Sequence, residues 1–157
     1  MLNQKEMLIL ASLRNNARES LTKLSRKTSI PVSTLYDKIK IYENNLITRN
    51  TCLLDFSKLG FNTRVTILLK IKKEHKELIR ETLSKNKSVN CFYKIMNKYD
   101  YLVEGVFKEI RNVETFLSDL EKQYDIEEKE VYYILEDIRK EAFLSNPEYI
   151  KLMGEPQ

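Results

Sequence analysis

The alternation of apolar and polar positions changes period repeatedly along the chain. Through residue 44 the apolar residues recur every three or four places. Glu6, Ile9, Leu10 and Leu13 mark one helical stripe. Ser20 is a good N-cap for a short helix to Thr28 in which Leu21 and Leu24 face inward, with Ser25 small enough to admit a close crossing. Pro31-Val32 breaks the chain, and Ser33 or Thr34 can cap a third helix running to Asn44 with Leu35, Ile39 and Tyr42 inward. Asn44-Asn45 tolerate a left-handed turn, after which Leu46–Thr48 and Thr51–Leu53 predict a small β-wing. From residue 64 the period becomes two: Val65, Ile67, Leu69 and Ile71 alternate with Arg64, Thr66, Leu68 and Lys70. A helical run at 78–83, alternation at 89–95, a polar Asn97-Lys98 turn, a strand at 101–107, a helix at 113–120 and a strand at 131–135 complete the pattern.

Helix, short helix, tight turn and capped helix make a helix-turn-helix plan. The order βαββαβ makes a ferredoxin-like antiparallel sheet with both helices on one face. The fold class is therefore α+β: a winged helix-turn-helix at 1–50, a linker strand at 51–63, a ferredoxin-like domain at 64–140, and a tail at 141–157 with a short helix near Pro147.

Charge sharpens this division. Residues 1–50 carry nine Lys/Arg against four Asp/Glu, and the remainder carries eighteen against nineteen. The net +4 of the protein thus sits in the helical module, as expected of a polyanion-binding head on a neutral handle, with double-stranded DNA as the partner. On the third helix Ser33, Thr34, Tyr36, Asp37 and Lys38 are the candidates for base edges. Asp37 suits cytosine, Tyr36 a thymine methyl and Lys38 guanine, while Arg18, Ser20, Lys40 and Arg49 suit phosphates. With Val65, Ile67 and Leu69 under the helices, the other sheet face would show Leu68, Phe92, Met96, Leu102, Val106, Tyr132 and Ile134. That apolar area predicts a homodimer, or a higher even oligomer, through this face.

Catalytic chemistry is absent from the pattern. His75 is the only histidine and is expected to be solvated; Cys52 and Cys91 are isolated, which predicts reduced thiols filling cores in a cytoplasmic protein. The acids at 125–128 and 136–137 are expected to be solvated loop and strand-end charge. No cofactor, metal site or membrane span is expected. A scaffold for protein contacts and a tetrapyrrole-binding decarboxylase of the same two-domain shape are the alternatives.

Asn16–Leu21, Leu24-Ser25, Val32–Leu35 and Lys38–Lys40, with Leu54-Asp55 and Leu59–Phe61 after them, resemble the helix-turn-helix and linker of the Lrp/AsnC regulators. Ser29 and Asn45 stand where that family has turn glycines, and Lys38 where it has arginine. Tyr99-Asp100-Tyr101-Leu102 resembles the family's segment between the second and third strands. The resemblance implies an amino-acid effector site near Asn97, Tyr99, Asp100 and Tyr101 at the dimer interface. Asn97 replaces a glycine there and fills space a ligand would need, so weak binding of free amino acids, or none, is expected.

Overall fold

The structure, a computed structural model, describes residues 2–152 and divides into two compact units. Residues through Leu53 together with those from Ile138 onward form the first, and Leu54–Asp137 form the second.

Three helices begin the first unit: α1 (Gln4–Asn15), α2 (Leu21–Thr28) and α3 (Val32–Asn45). Asn3 caps α1 in a capping box with Glu6, and Ser20 caps α2 by accepting the Lys23 N–H. Ile9, Leu24, Ile30, Leu35 and Tyr42 form the core, with Leu2, Leu10, Leu13, Leu21, Ile39 and Ile47 packed against it. Burying each large aliphatic side chain contributes about 1.5–3 kcal/mol. Five expectations need correction. Pro31, not Ser33 or Thr34, is the N-cap of α3, which starts at Val32 without a side-chain cap. The left-handed residue between these helices is Ser29 (φ 56°), in the turn from α2 to α3, while Asn45 stays helical and Leu46 ends α3. No wing forms: Ile47 donates its N–H to the Tyr42 carbonyl and tucks onto the core, and 48–55 runs without strand pairing. Nor is 51–63 a linker strand: it holds one 3-10 turn at Phe56–Leu59, and only its last residue, Thr63, is in a strand. Cys52 is exposed rather than a core filler.

In the second unit β1 (Thr63–Ile71), α4 (Lys76–Ser84), β2 (Val89–Lys94), β3 (Tyr101–Phe107), α5 (Ile110–Gln123) and β4 (Ile126–Tyr133) form an antiparallel sheet of order β2-β3-β1-β4. The central strand β1 buries Val65, Ile67, Leu69 and Ile71 against Ile79 and Leu83 of α4 and Val113, Leu117 and Leu120 of α5. Gly105 faces this core because the Phe107 ring lies across it; a Cβ would come within 2.5 Å of the Phe107 Cε2. The alternation of β1 and β3 survives intact, but β2 does not keep phase. Val89 pairs with Gly105 and Cys91 with Glu104, so a bulge at Asn90 inverts the facing of the residues after it. Phe92 therefore packs on the helix side, 5.1 Å from the Tyr101 ring, and leaves the outer face to Cys91 and Tyr93. Met96 lies past the end of β2. The strand β4 begins five residues before the expected Val131. It carries Glu127 and Glu128 in the strand rather than in a loop, paired with Lys70 at 3.3 and 3.6 Å.

The last described helix, α6 (Pro147–Leu152), belongs to the first unit. Ile150 is 3% exposed against Leu8 and Ala11, on the side of α1 away from Ile9. Arg14 donates to the Phe143 carbonyl and to Glu141 (2.8 Å), and Gln4 Nε2 donates to the Ile150 carbonyl. The expected tail helix near Pro147 is therefore present and integrated; residues 153–157 of that tail lie outside the described residues. Ile150→Asp is expected to destabilise the first unit by about 2–4 kcal/mol, since an unpaired carboxylate would enter a closed apolar contact. Hydrogen exchange of the α1 amides measures this, and unchanged protection would show that α6 contributes nothing to the unit.

Candidate nucleic-acid interface

Helix α3 buries Leu35 and Tyr42 and turns the opposite stripe to solvent. Ser33, Tyr36, Asp37 and Lys40 fall at i, i+3, i+4 and i+7 on that stripe, and all four are exposed. Lys40 Nζ sits 4.7 Å from the centroid of the Tyr36 ring, which gathers a cation and an aromatic into one patch. Thr34 is exposed on the flank, next to Val32 at 43% exposure. A stripe of one hydroxyl, one phenol, one carboxylate and one ammonium offers donors, acceptors and an apolar ring edge, the mix that base edges in a major groove match.

The phosphate candidates divide. Arg18 is exposed in the turn between α1 and α2, where its backbone N–H is accepted by Asn16 Oδ1 at 3.1 Å. Arg49 is exposed beyond α3. Ser20 already accepts the Lys23 N–H at 3.3 Å, leaving its hydroxyl proton to donate. Lys23 and Arg26, one turn apart on α2, are exposed and have no ion-pair partner among the described residues. Sequence reasoning did not single them out, although their i, i+3 spacing inside a basic run was the available signal. Lys27 is held by both oxygens of Glu19 at 2.8 Å.

Lys38 is the exception among the base-edge candidates. Its Nζ donates to Glu6 Oε1 at 2.6 Å, with side-chain exposures of 31% and 16%, and so points to α1 rather than outward. The Lys38 hydrogen bond, then the Asn3 backbone, hold the Glu6 carboxyl below its ordinary value. Burial, then the Glu6 charge, pushes the neighbouring Tyr42 phenol up to about 12.

The loop after β2 carries the effector candidates, and its polar groups are used internally. Asn97 adopts φ 105°, a conformation that strains any side-chain-bearing residue. Tyr99 is buried and donates to Glu130, which also accepts from Tyr132. Lys98 pairs with Glu128 at 2.8 Å. Asp100 accepts the Ile71 N–H at 2.9 Å and Lys76 Nζ at 2.5 Å, and Tyr101 donates to the Lys76 carbonyl at 3.1 Å. Elsewhere in this unit, His75 is not simply solvated: its Nδ1 accepts the Asp125 N–H at 2.7 Å. Asp137 grips the Arg64 guanidinium with both oxygens, at 2.6 and 2.8 Å. Among the described residues no cluster of His, Cys, Asp and Glu suits a metal, and no helix is long and apolar enough to cross a membrane.

On the outer sheet face Leu68 pairs directly with Leu102, which pairs with Tyr93. Val106 and Ile134 flank them, the Ile134 N–H donating to the Arg64 carbonyl, and Tyr132 is 54% exposed. Thr66, Glu104 and Glu130 interrupt the patch, which is thus less apolar than the alternation predicted.

Comparison with known proteins places this architecture. A helix-turn-helix-type transcriptional regulator of Pyrococcus abyssi is 26% identical over 150 residues, 94% of this chain and the whole of that one. One of Pyrococcus furiosus is 28% identical over 142 residues, 88% of this chain and 94% of its own. Among solved structures, LrpC of Bacillus subtilis superposes with a TM-score of 0.80 at 18% identity, covering 89% of this chain and 99% of that one. AsnC of Escherichia coli gives 0.79 at 16%, covering 89% and 96%. A Neisseria meningitidis transcriptional regulator solved in complex with L-methionine gives 0.82 at 19%, covering 89% and 94%. The chain is a DNA-binding transcriptional regulator with the fold of the Lrp/AsnC proteins. No protein-family model matches it. The regulator's helical region and four-stranded sheet are those expected from the sequence, apart from the missing wing.

One test concerns the loop at 97–101. Burial alone would raise the Asp100 carboxyl, but the Ile71 N–H and Lys76 outweigh it and hold the group below its ordinary 3.8. A carboxylate lowered on folding stabilises above its unfolded value and loses that contribution as the pH falls through the folded one. Asp100→Asn is expected to cost about 1–3 kcal/mol at neutral pH. Wild type and variant should converge on acidification below 3.8, as read by urea melts. A pH-independent difference would rule out this role for the carboxylate.

Proposed function

We propose that the regulator works as a homodimer, or an even assembly of dimers, reading two half-sites of a near-palindromic duplex without an enzymatic activity of its own. The observation that carries this reading is the solvent-facing stripe Ser33, Tyr36, Asp37 and Lys40, flanked by Lys23 and Arg26 on the preceding helix. The stripe supplies base readers and the flank supplies phosphate clamps, with Arg18, Ser20 and Arg49 as further clamps. A tetrapyrrole decarboxylase would lean on histidine and arginine in the second unit, where His75 is the single histidine and Arg64 is held by Asp137. The cytoplasm, where the DNA is, is the compartment that fits this role. Selection from random duplex DNA is expected to return one near-palindromic sequence, with log K falling against log salt at a slope on the order of −5 for about three phosphates per subunit. Salt-independent binding would exclude the scheme.

The dimer is assigned to the outer sheet face, centred on Leu68, Leu102 and Val106, with Tyr93 added and Phe92 removed from the expected set. Free amino acids are assigned no strong effector role. The meningococcal neighbour was solved with L-methionine, but the loop in this chain spends Tyr99, Asp100 and Tyr101 on internal bonds and carries a side chain at Asn97. Sedimentation at micromolar concentration is expected to give a dimer or larger even species, shifted toward monomer by Leu102→Asp and unmoved by any of the twenty amino acids at millimolar concentration. A wild-type monomer would refute the interface, and a shift with one amino acid would refute the effector reading.

A further inference from the structure

We infer that Glu6 and Lys38 are a positioning pair for DNA recognition, a fixed carboxylate at the start of α1 that sets the rotation of α3 about its own axis. The inference rests on the reading of α3 as the helix that contacts base edges. Glu6 is immobilised before α3 meets it. Its Oε2 accepts the Asn3 N–H at 3.0 Å, while its own N–H donates to Asn3 Oδ1 at 2.9 Å. The remaining oxygen takes Lys38 Nζ at 2.6 Å. One helical turn later on α3, the Tyr42 ring is 5% exposed with its phenol beside the same carboxylate. Positions 38 and 42 thus meet one fixed charge from one side of the helix.

The need for such a pair arises from the other contacts that hold α3. Leu35 and Ile39 attach it through apolar contact, which is non-directional and resists separation more than rotation. Each residue of a helix is set about 100° from the next, so a modest rotation would replace the stripe at 33, 36, 37 and 40 with its flank. A short, partly buried ion pair is directional and resists that rotation. Lys38 is also unsuited to contact DNA itself. Leaving Glu6 would strand a carboxylate of 16% exposure beside a polyanion.

The full chain and its selected DNA site provide the test. Wild type must first select a sequence from random duplexes; failure there overturns the DNA reading itself. Given a site, Lys38→Met and Glu6→Gln are each expected to lower the preference for it over a scrambled duplex about tenfold, a loss of the size of one misread base pair. The salt slope should stay at the wild-type value in both. Arg26→Met, by contrast, should flatten the slope by about one and leave the preference unchanged. Gln keeps the capping box, and removal of an acid would by charge alone strengthen DNA binding, so a lower preference in Glu6→Gln is the opposite of the electrostatic expectation. The double variant should lose no more than either single one, and Lys38→Arg should restore the preference to within about twofold. A flatter salt slope in Lys38→Met would make Lys38 a phosphate contact and overturn the inference. So would an unchanged or higher preference in Glu6→Gln.

Discussion

Helix α1 is buried on two sides, and the arrangement of the first unit depends on that constraint. Its twelve residues send Ile9 into the core with Leu24 and Leu35, and Leu8 and Ala11 into a second contact with Ile150 of α6. Its first turn adds Glu6 toward α3 and its last turn adds Arg14 toward 141–143. A helix with one apolar stripe can anchor one neighbour; this one anchors three segments because polar residues at its two ends extend the contacts beyond the stripe. The unit is therefore discontinuous in sequence. The chain leaves it after Leu53, builds the whole sheet, and returns at Ile138.

The legible parts of the sequence were those in which local pattern and tertiary burial agree. Central strands show it best: β1 and β3 bury every second residue without interruption, and their alternation survives in full. A single extra residue at Asn90 was enough to break the same reasoning in β2, because period-two patterns carry no mark of a bulge. In β4 the acids looked like loop, yet Glu128 and Glu130 line the outer face where Lys98 reaches both, at 2.8 and 3.6 Å. Cross-strand cations make acidic residues admissible in a strand, and no window of sequence shows a partner thirty places away. The same limit hid the Glu6–Lys38 pair and the seat of Ile150. The exposed stripe of α3 was legible, since 33, 36, 37 and 40 share one helical face whatever α3 packs against.

Backbone conformation explains two of the three departures at positions expected to be glycine, the third, Asn45, being helical. Ser29 takes φ 56° at the end of α2, in the left-handed region where a side chain costs about 1–2 kcal/mol relative to ordinary helix. Burial of Thr28 and Ile30 on either side fixes the turn despite that cost. Asn97 goes further, to φ 105°. Its loop persists because the next residues are bonded on every side: Lys98 to Glu128, Tyr99 to Glu130, Asp100 to Ile71 and Lys76. A loop so tied has little polar capacity left for a small zwitterion. Binding one there would require breaking bonds that the fold uses, and the differential affinity available for regulation shrinks accordingly.

Electrostatics closes the connection between composition and function, with a smaller effective charge than the residue count suggests. Of the nine bases in the first fifty residues, Arg14, Lys27 and Lys38 are committed to Glu141, Glu19 and Glu6. An internally paired cation releases few counterions when DNA arrives, because its charge is already compensated. The bases that remain exposed, Lys5, Arg18, Lys23, Arg26, Lys40 and Arg49, sit on the first turn of α1, on the turn before α2, on α2, on α3 and beyond it. On the proposed reading, affinity then comes from a short row of clamps and discrimination from four side chains on one stripe. A weakly cationic module of this kind gains little from non-specific attraction, so correct orientation of that stripe decides how far a cognate site stands above the rest of the genome. One of the ion pairs that lower the count of free cations, Glu6–Lys38, is on the proposed reading also the one that holds the reading surface in place.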